Sequence, residues 1–235
     1  MLNRKNFHVI IRILFLALII SMSGCLQTYY TPNMHQVPLF KQKGEAAFTV
    51  AISGGEQVSS GEILGAYALS DHVGLLVNAS RGAGKMSDTY LLSAYDSVNQ
   101  RGTRRHLVEI GGGYFDSFGG KGVFEIYGGV GLGSVYNYYD TRRQSYSNVK
   151  FNRFFIQPGI GKKGEYFDFA FSFRLATLHY NSIRPHNLGE AASLDANALQ
   201  LLDRNRFYLL SEPAFTIRGG FKAIKLQIQM GYSFV

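Results

Sequence analysis

Three residues in the second half of the chain have the types needed for hydrolytic chemistry. His179 and Ser182 lie three positions apart, and Glu212 or Glu190 could supply an acid. In such a set the imidazole takes the proton of the hydroxyl group, and the carboxylate holds the imidazole in the required tautomer. On a continuous strand, however, only side chains two positions apart share a face, so His179 and Ser182 would point in opposite directions. We therefore expect no enzymatic activity, and we find no motif for a metal or a cofactor.

The chemistry of the N-terminal region centres on Cys25, the single cysteine of the chain. Arg4 and Lys5 precede an apolar run over 9–20, which is broken only by Arg12, and small residues then lead into the cysteine. This layout is typical of a cleavable signal peptide and is too short for a membrane-spanning helix. The ending Ser23-Gly24-Cys25 resembles a bacterial lipobox. The resemblance implies that the Cys25 thiol is acylated and begins the mature protein. The alternative is an ordinary signal peptide followed by a free thiol.

The length and charge of the chain limit its class. It has 235 residues, and residues 25–235 are enough for one domain with a full core. The net charge is +8 for the whole chain, or +5 without residues 1–24. Basic residues are concentrated in the long connections between predicted strands. We expect this side to contact anionic headgroups such as those of lipopolysaccharide, or else a specific anionic ligand, because arginine binds phosphate well. The predicted contacts are Arg104, Arg105, Arg142, Arg143, Arg204 and Arg206.

Strict alternation of apolar and polar residues predicts β-strands. The segment 166–175 has a phenylalanine at every second position from Phe167 to Phe173, and the segment 224–234 repeats the pattern with aliphatic residues. A period of two is the signature of a strand. The opposite face carries glycine, glutamine and charged residues, which cannot form a dry core. This combination favours a sheet with lipid on its apolar side and a narrow polar interior.

Nine such segments follow one another along the chain. Their connections alternate between short turns and long loops, as in outer-membrane barrels. An antiparallel barrel closes on an even number, so we predict ten strands, with residues 30–40 forming the extra one; eight is the alternative. A short helix is expected within 188–203. The nine segments are 45–53, 60–69, 73–80, 105–117, 123–136, 151–162, 166–180, 206–218 and 223–234.

Over 45–235 the chain resembles the small outer-membrane β-barrels of the OmpA and OmpX kind, and Gly231-Tyr232-Ser233-Phe234-Val235 resembles their C-terminal assembly signal. The resemblance implies an all-β antiparallel transmembrane β-barrel of eight to ten strands in the outer membrane of a Gram-negative bacterium. The predicted organisation is a signal peptide (1–24), a lipidated linker, plug or extra strand (25–44), and the barrel (45–235). A soluble lipocalin-like barrel is the structural alternative.

Charged residues at inward positions are expected to form an ion-pair network, because a lumen of this size fills with side chains. They are Glu109, Glu125, Asp168, Arg174, Glu212 and Lys225. These features predict a lipid-anchored barrel that acts as a structural or accessory subunit, with outer-membrane lipid, lipopolysaccharide and possible outer-membrane proteins as partners. Nucleic acid is not expected as a partner.

Two other functions are open. One is a narrow channel. The other is a lipid A-modifying hydrolase, since some outer-membrane deacylases carry a histidine and a serine close together at such a strand end. Here the order His179-Tyr180-Asn181-Ser182 departs from the His-x-Ser-Asn order of that family.

Overall fold

A computed structural model describes residues 29–54, 58–86, 101–140, 142–188, 193–221 and 224–235. Within these ranges the chain forms nine strands and one helix. The strands are β1 (Ala46–Gly54), β2 (Ser59–Ala68), β3 (Val73–Met86), β4 (Arg101–Phe118), β5 (Gly122–Tyr138), β6 (Tyr146–Lys163), β7 (Phe167–His186), β8 (Phe207–Gly220) and β9 (Lys225–Gly231); the helix is α1 (Ser193–Arg204).

The nine strands form one antiparallel sheet in sequence order, and each pairs with the next along the chain. Each of the nine predicted segments is a strand, and the predicted loop helix is α1. The sheet is uneven in height: β4 to β7 have 17 to 20 residues, whereas β1, β2 and β9 have 7 to 10. It curls into a barrel-like shell, so the all-β antiparallel fold expected from the alternation is confirmed.

The two faces of the sheet differ in chemistry and in exposure. Phe169 and Phe171 on the outer face are about half exposed, whereas Ala170 and Ser172 between them are buried. Buried inner positions also hold ionic groups, among them Glu109 and Arg153. The shell is thus apolar outside and polar inside, the reverse of a water-soluble sandwich.

Residues 29–43, here called the interior segment, do not form the tenth strand that the sequence favoured. Most of this segment is buried inside the curled sheet and has no regular secondary structure. Pro32 and Pro38 lack the N–H groups that a strand needs on its bonded side. The backbone of the segment instead bonds to polar side chains on the inner face of the sheet.

The interior segment runs the height of the shell. At the long-loop end, the hydroxyl groups of Tyr29 and Tyr139 lie 3.4 Å apart. At the short-turn end, Lys41 Nζ donates to the Gly120 carbonyl at 2.7 Å, and the Lys43 N–H donates to Asp71. The segment therefore descends from loops to turns and then reverses into β1.

Glycines on the inner face let aromatic rings lie directly against the wall. A Cβ atom on Gly133 would lie 2.1 Å from Cζ of Phe151, and one on Gly129 would lie 2.6 Å from Cζ of Phe155. Both distances are far below van der Waals contact, so these rings occupy space that any other residue would fill.

Apolar clusters close both ends of the interior. At the loop end, Leu199 and Leu202 of α1 pack with Tyr29, Tyr30 and Phe151 in a larger cluster. Towards the turn end, smaller clusters form around residues of the interior segment. The polar groups between these ends form the candidate site. No helix within the described ranges is long and apolar enough to cross a membrane.

Candidate functional site

Four ionic side chains meet in the middle of the interior. Arg153 of β6 donates through Nη1 to Glu109 of β4 at 2.9 Å, and through Nη2 to Glu212 of β8. Arg174 of β7 lies with its Nη1 3.8 Å from Glu212 Oε2. All four side chains are essentially inaccessible to solvent. Two positive and two negative groups make the cluster neutral, which is the condition for burying charge at tolerable cost.

Asn33 of the interior segment joins this cluster to the segment. Its Oδ1 accepts from Arg153 at 2.7 Å and from Arg174 at 2.9 Å, while its Nδ2 donates to Glu109 at 2.7 Å. An amide group can both accept and donate, so one side chain satisfies a carboxylate and two guanidinium groups. Asn33 thereby fixes the depth of the segment in the shell.

Tyr30 contacts the same cluster from the loop side. Its hydroxyl donates to Glu212 at 2.6 Å, and the Arg153 guanidinium lies over its ring, 5.4 Å from the centroid. Arg105 of β4 donates to the Tyr30 carbonyl at 2.9 Å. Tyrosine suits this place because its ring packs in the apolar cluster while its hydroxyl reaches the ionic one.

Further bonds hold the rest of the interior segment to five strands, β2, β5, β6, β8 and β9. Main-chain N–H groups donate to carboxylates and an amide, and carbonyls accept from Gln157 and Arg218. These contacts are Met34 to Glu62 (2.8 Å), His35 to Gln229 (2.7 Å), Leu39 to Glu125 (3.0 Å), Gln157 to Gln36 (2.8 Å) and Arg218 to Val37. The inner face therefore serves as a binding surface for an extended peptide, with side chains in place of a neighbouring strand.

The predicted inward residues are distributed over three places. Glu109, Arg174 and Glu212 belong to the central cluster. Asp168 pairs with Lys225 near the turn end, where Lys225 Nζ lies 2.7 Å from Asp168 Oδ1. Glu125 lies apart and accepts from the Leu39 N–H.

Two central residues were missed by the sequence analysis. Arg153 is not among the predicted inward residues, although alternation along β6 puts position 153 on the face that carries Phe151 and Phe155. This pattern could have identified Arg153 as inward. No sequence pattern identifies Asn33 as an interior residue, because the interior segment shows no alternation of apolar and polar residues.

The hydrolytic candidates are not assembled into a site. A register shift between Lys150 and Phe151 leaves an extra residue in β7, so Ser182 returns to the outer face that carries His179. Within the described residues, no hydrogen bond joins the two. Glu212 lies on the opposite face of the sheet, engaged by Arg153 and Tyr30. Glu190 lies outside the described residues.

The predicted headgroup contacts divide. Arg104, Arg142, Arg143, Arg204 and Arg206 are exposed near the loop end, while Arg105 is buried and faces the interior. The prediction that Arg105 contacts headgroups is therefore wrong. Arg104 and Arg105 are neighbours on one strand, so their side chains lie on opposite faces of the sheet.

Asp140 organises the loop between β5 and β6. Its carboxylate accepts from the N–H groups of Gln144 at 3.0 Å and Ser145 at 2.6 Å. Desolvation acts to raise the pKa of Asp140, but these and neighbouring backbone hydrogen bonds outweigh it and hold the pKa below its ordinary value.

Cys25 lies outside the described residues, and within the described part of the chain no group of three His, Cys, Asp or Glu residues could hold a metal ion. No protein-family model matches the chain, and no curated protein or solved structure is similar enough to count as a match. The function is therefore argued from the shell and its contents.

Proposed function

We propose that this protein is a lipid-anchored outer-membrane β-barrel that serves as a structural or accessory subunit of an outer-membrane complex. One observation carries the proposal. The outer face of the sheet is a continuous apolar surface, while the inner face holds buried ionic groups. In water this arrangement would expose a very large apolar area, whereas in a bilayer the same surface faces lipid.

The height of the strands supports the membrane setting. The shortest strands, β1, β2 and β9, have 7 to 10 residues, close to the 9 to 11 or so needed to cross the hydrocarbon layer at a tilt. The longer strands would extend past the lipid at the loop end. There the exposed arginines would meet the phosphates of lipopolysaccharide.

The contents of the interior support a structural role. Asn33, Tyr30 and the four ionic residues occupy its middle, and apolar clusters lie above and below them. A solute path would have to displace buried, mutually bonded groups. The placement of His179 and Glu212 on opposite faces gives the hydrolase alternative no support.

The lipid anchor is proposed from the lipobox-like sequence before Cys25. A barrel that spans the membrane stays there without a covalent lipid, so a lipid anchor on this protein would serve a purpose other than holding it in the membrane. We propose that it orients the protein beside a partner, which agrees with an accessory role.

Gel mobility tests the barrel and its anchor together. The mature protein, purified in detergent from outer membranes, is run with and without boiling, and in parallel as the Cys25→Ala variant. A mobility change on boiling, with retention of both forms in the membrane, supports the proposal. Release of the Cys25→Ala variant into the soluble fraction would instead mean a soluble domain held only by its lipid, and the membrane barrel would be ruled out.

A further inference from the structure

The two ends of the sheet leave a seam in the shell. Every described strand from β2 to β8 pairs on both sides, whereas β1 pairs with β2 alone and β9 with β8 alone. Among the described residues, no backbone hydrogen bond joins β1 to β9. An edge strand presents a row of N–H and C=O groups without partners. In lipid, which offers no hydrogen bonds, such rows are strongly unfavourable.

The direction of the two edges restricts what can fill the seam. Successive strands alternate in direction, so the first and the ninth both run from the short turns to the long loops. A single strand that runs from loops to turns would be antiparallel to both edges at once. It would also complete the even number that an antiparallel barrel requires.

A second copy of this chain does not meet that requirement. Two copies inserted the same way into one membrane have all four edge strands running towards the loops. Any edge-to-edge contact between them would therefore be parallel, as would direct closure of β1 onto β9.

The chain before Tyr29 does not meet the requirement either. Tyr29 lies at the loop end, so the residues before it would have to reach it from the turn side to line the seam. Such a strand would run towards the loops, parallel to both edges. If the chain is cleaved before Cys25, only four residues precede Tyr29, fewer than the nine of β1.

The interior segment already occupies the inside of the seam. The N–H of Met34 bonds to Glu62 of β2, and the adjacent N–H of His35 bonds to Gln229 of β9. Gln229 also donates to the His35 carbonyl at 3.0 Å. Two consecutive residues thus bond to the edge strand β9 on one side and, on the other side, to β2, the strand next to the edge strand β1. Pro32 and Pro38 keep this segment from acting as the missing strand itself.

We propose that the seam between β1 and β9 receives one membrane-embedded β-strand of a different outer-membrane protein. This inference rests on the proposed function and names the kind of partner that the accessory role requires. The strand runs from loops to turns over about seven to nine residues, a single crossing of the membrane. Its outward side chains are apolar, to continue the rows of Val50 and Ile228, and its inward side chains are small or polar.

Photocrosslinking in the native outer membrane tests the proposal. A photoreactive phenylalanine analogue replaces Val50 in β1, Ile228 in β9 or, as a control, Leu132 in β5. The three residues have the same exposed fraction, 70%. Leu132 differs because its strand is paired on both sides. Phe48 and Ile52 are substituted in the same way to read the direction of the partner strand.

The expected result is a heterologous protein crosslinked from both Val50 and Ile228, several-fold more than from Leu132. Mapped peptides should place the Ile52 crosslink N-terminal to the Phe48 crosslink on one partner strand, as antiparallel pairing demands. Crosslinks between β1 and β9, crosslinks to a second copy, or equal yields at all three positions would overturn the seam proposal. Each of those results, obtained with a heat-modifiable protein retained in the membrane, would leave the proposed function intact; loss of the variants and the wild type from the membrane would remove both.

Discussion

Asn33 and Glu109 are 76 residues apart in sequence and joined by a 2.7 Å hydrogen bond at the centre of the shell. The bond ties a segment without regular secondary structure to a strand in the middle of the sheet. The same amide accepts from two buried arginines. The interior segment is thus held by a specific polar contact as well as by apolar packing.

Replacement of Asn33 by alanine should loosen the interior segment. It would leave Arg153, Arg174 and Glu109 each short of one partner, and an unsatisfied buried group costs about 1–3 kcal/mol. We expect the free energy of unfolding to fall by at least that amount, measured in urea with folded protein in detergent. Asn205→Ala removes the same side chain from an exposed position and should change little. Equal stability of the two variants would show that Asn33 does not fix the segment.

The central ion pairs predict a strong coupling between Arg153 and Glu212. Arg153→Met leaves two buried carboxylates against one arginine, and an uncompensated buried charge costs about 3–5 kcal/mol. Adding Glu212→Leu restores neutrality, so the double variant should be less destabilised than the sum of the single variants. A double-mutant cycle of unfolding free energies measures this coupling. Strict additivity would contradict the ionic network.

Two glycines on opposite faces of the sheet, Gly113 on the inner face and Gly61 on the outer face, predict a sharp difference between two similar substitutions. A Cβ atom on Gly113 would lie 2.1 Å from the Ile126 carbonyl oxygen, a backbone atom that cannot move aside, whereas one on Gly61 would meet nothing within 4 Å. Gly113→Ala should therefore lower stability by about 1–3 kcal/mol through overpacking. Gly61→Ala should be close to neutral. The temperature at which the gel mobility changes reports both effects.

The course of the interior segment predicts where the N-terminus emerges. Tyr29 lies with the long loops, so an epitope inserted between Leu26 and Gln27 should be reached from the same side of the membrane as one inserted after Arg143. An epitope between Gly119 and Gly120 should be reached only from the other side. Antibody labelling of intact and permeabilised cells compares the three. An N-terminal epitope that behaves like the turn epitope would contradict this threading.

Acidification should loosen the loop held by Asp140. Because its pKa is lower in the folded state than in the unfolded chain, its contribution is full above the unfolded value of about 3.9 and is lost as the pH falls through the folded value. Hydrogen exchange of the Gln144 and Ser145 amides, corrected for intrinsic rates, should show protection above the unfolded pKa of the carboxyl group and a progressive loss of protection as the pH falls below it. Asp140→Ala should lack this protection throughout. If the protection in the wild type did not depend on pH, the Asp140 carboxylate would not be the group that holds the loop.

Much of the wall could be read from the sequence, because alternation records which face of a strand meets which medium. The alternating apolar residues around Phe169 and Ile228 predict a β-strand in each segment and show which side chains face outward. The inward positions of Glu109 and Arg174 follow from the same two-residue alternation. The interior segment could not be predicted in this way. Its contacts join residues far apart in sequence, such as His35 and Gln229, and its backbone bonds to side chains instead of to a neighbouring strand. The face of Ser182 was also beyond prediction, since one extra residue in β7 inverts the alternation.

The bonds between His35 and Gln229 have a consequence for the order of assembly. They unite residues 194 positions apart, so one of the first described segments is secured only after the last strand has arrived. Without β9, the interior segment would be bonded to the other strands but would be uncovered on the side where β9 lies. The shell can therefore be complete only when the interior segment and the last strand are both in place. A chain truncated before β9 would leave buried charged groups exposed along the open side. These exposed charges would distinguish the truncated chain from the complete shell.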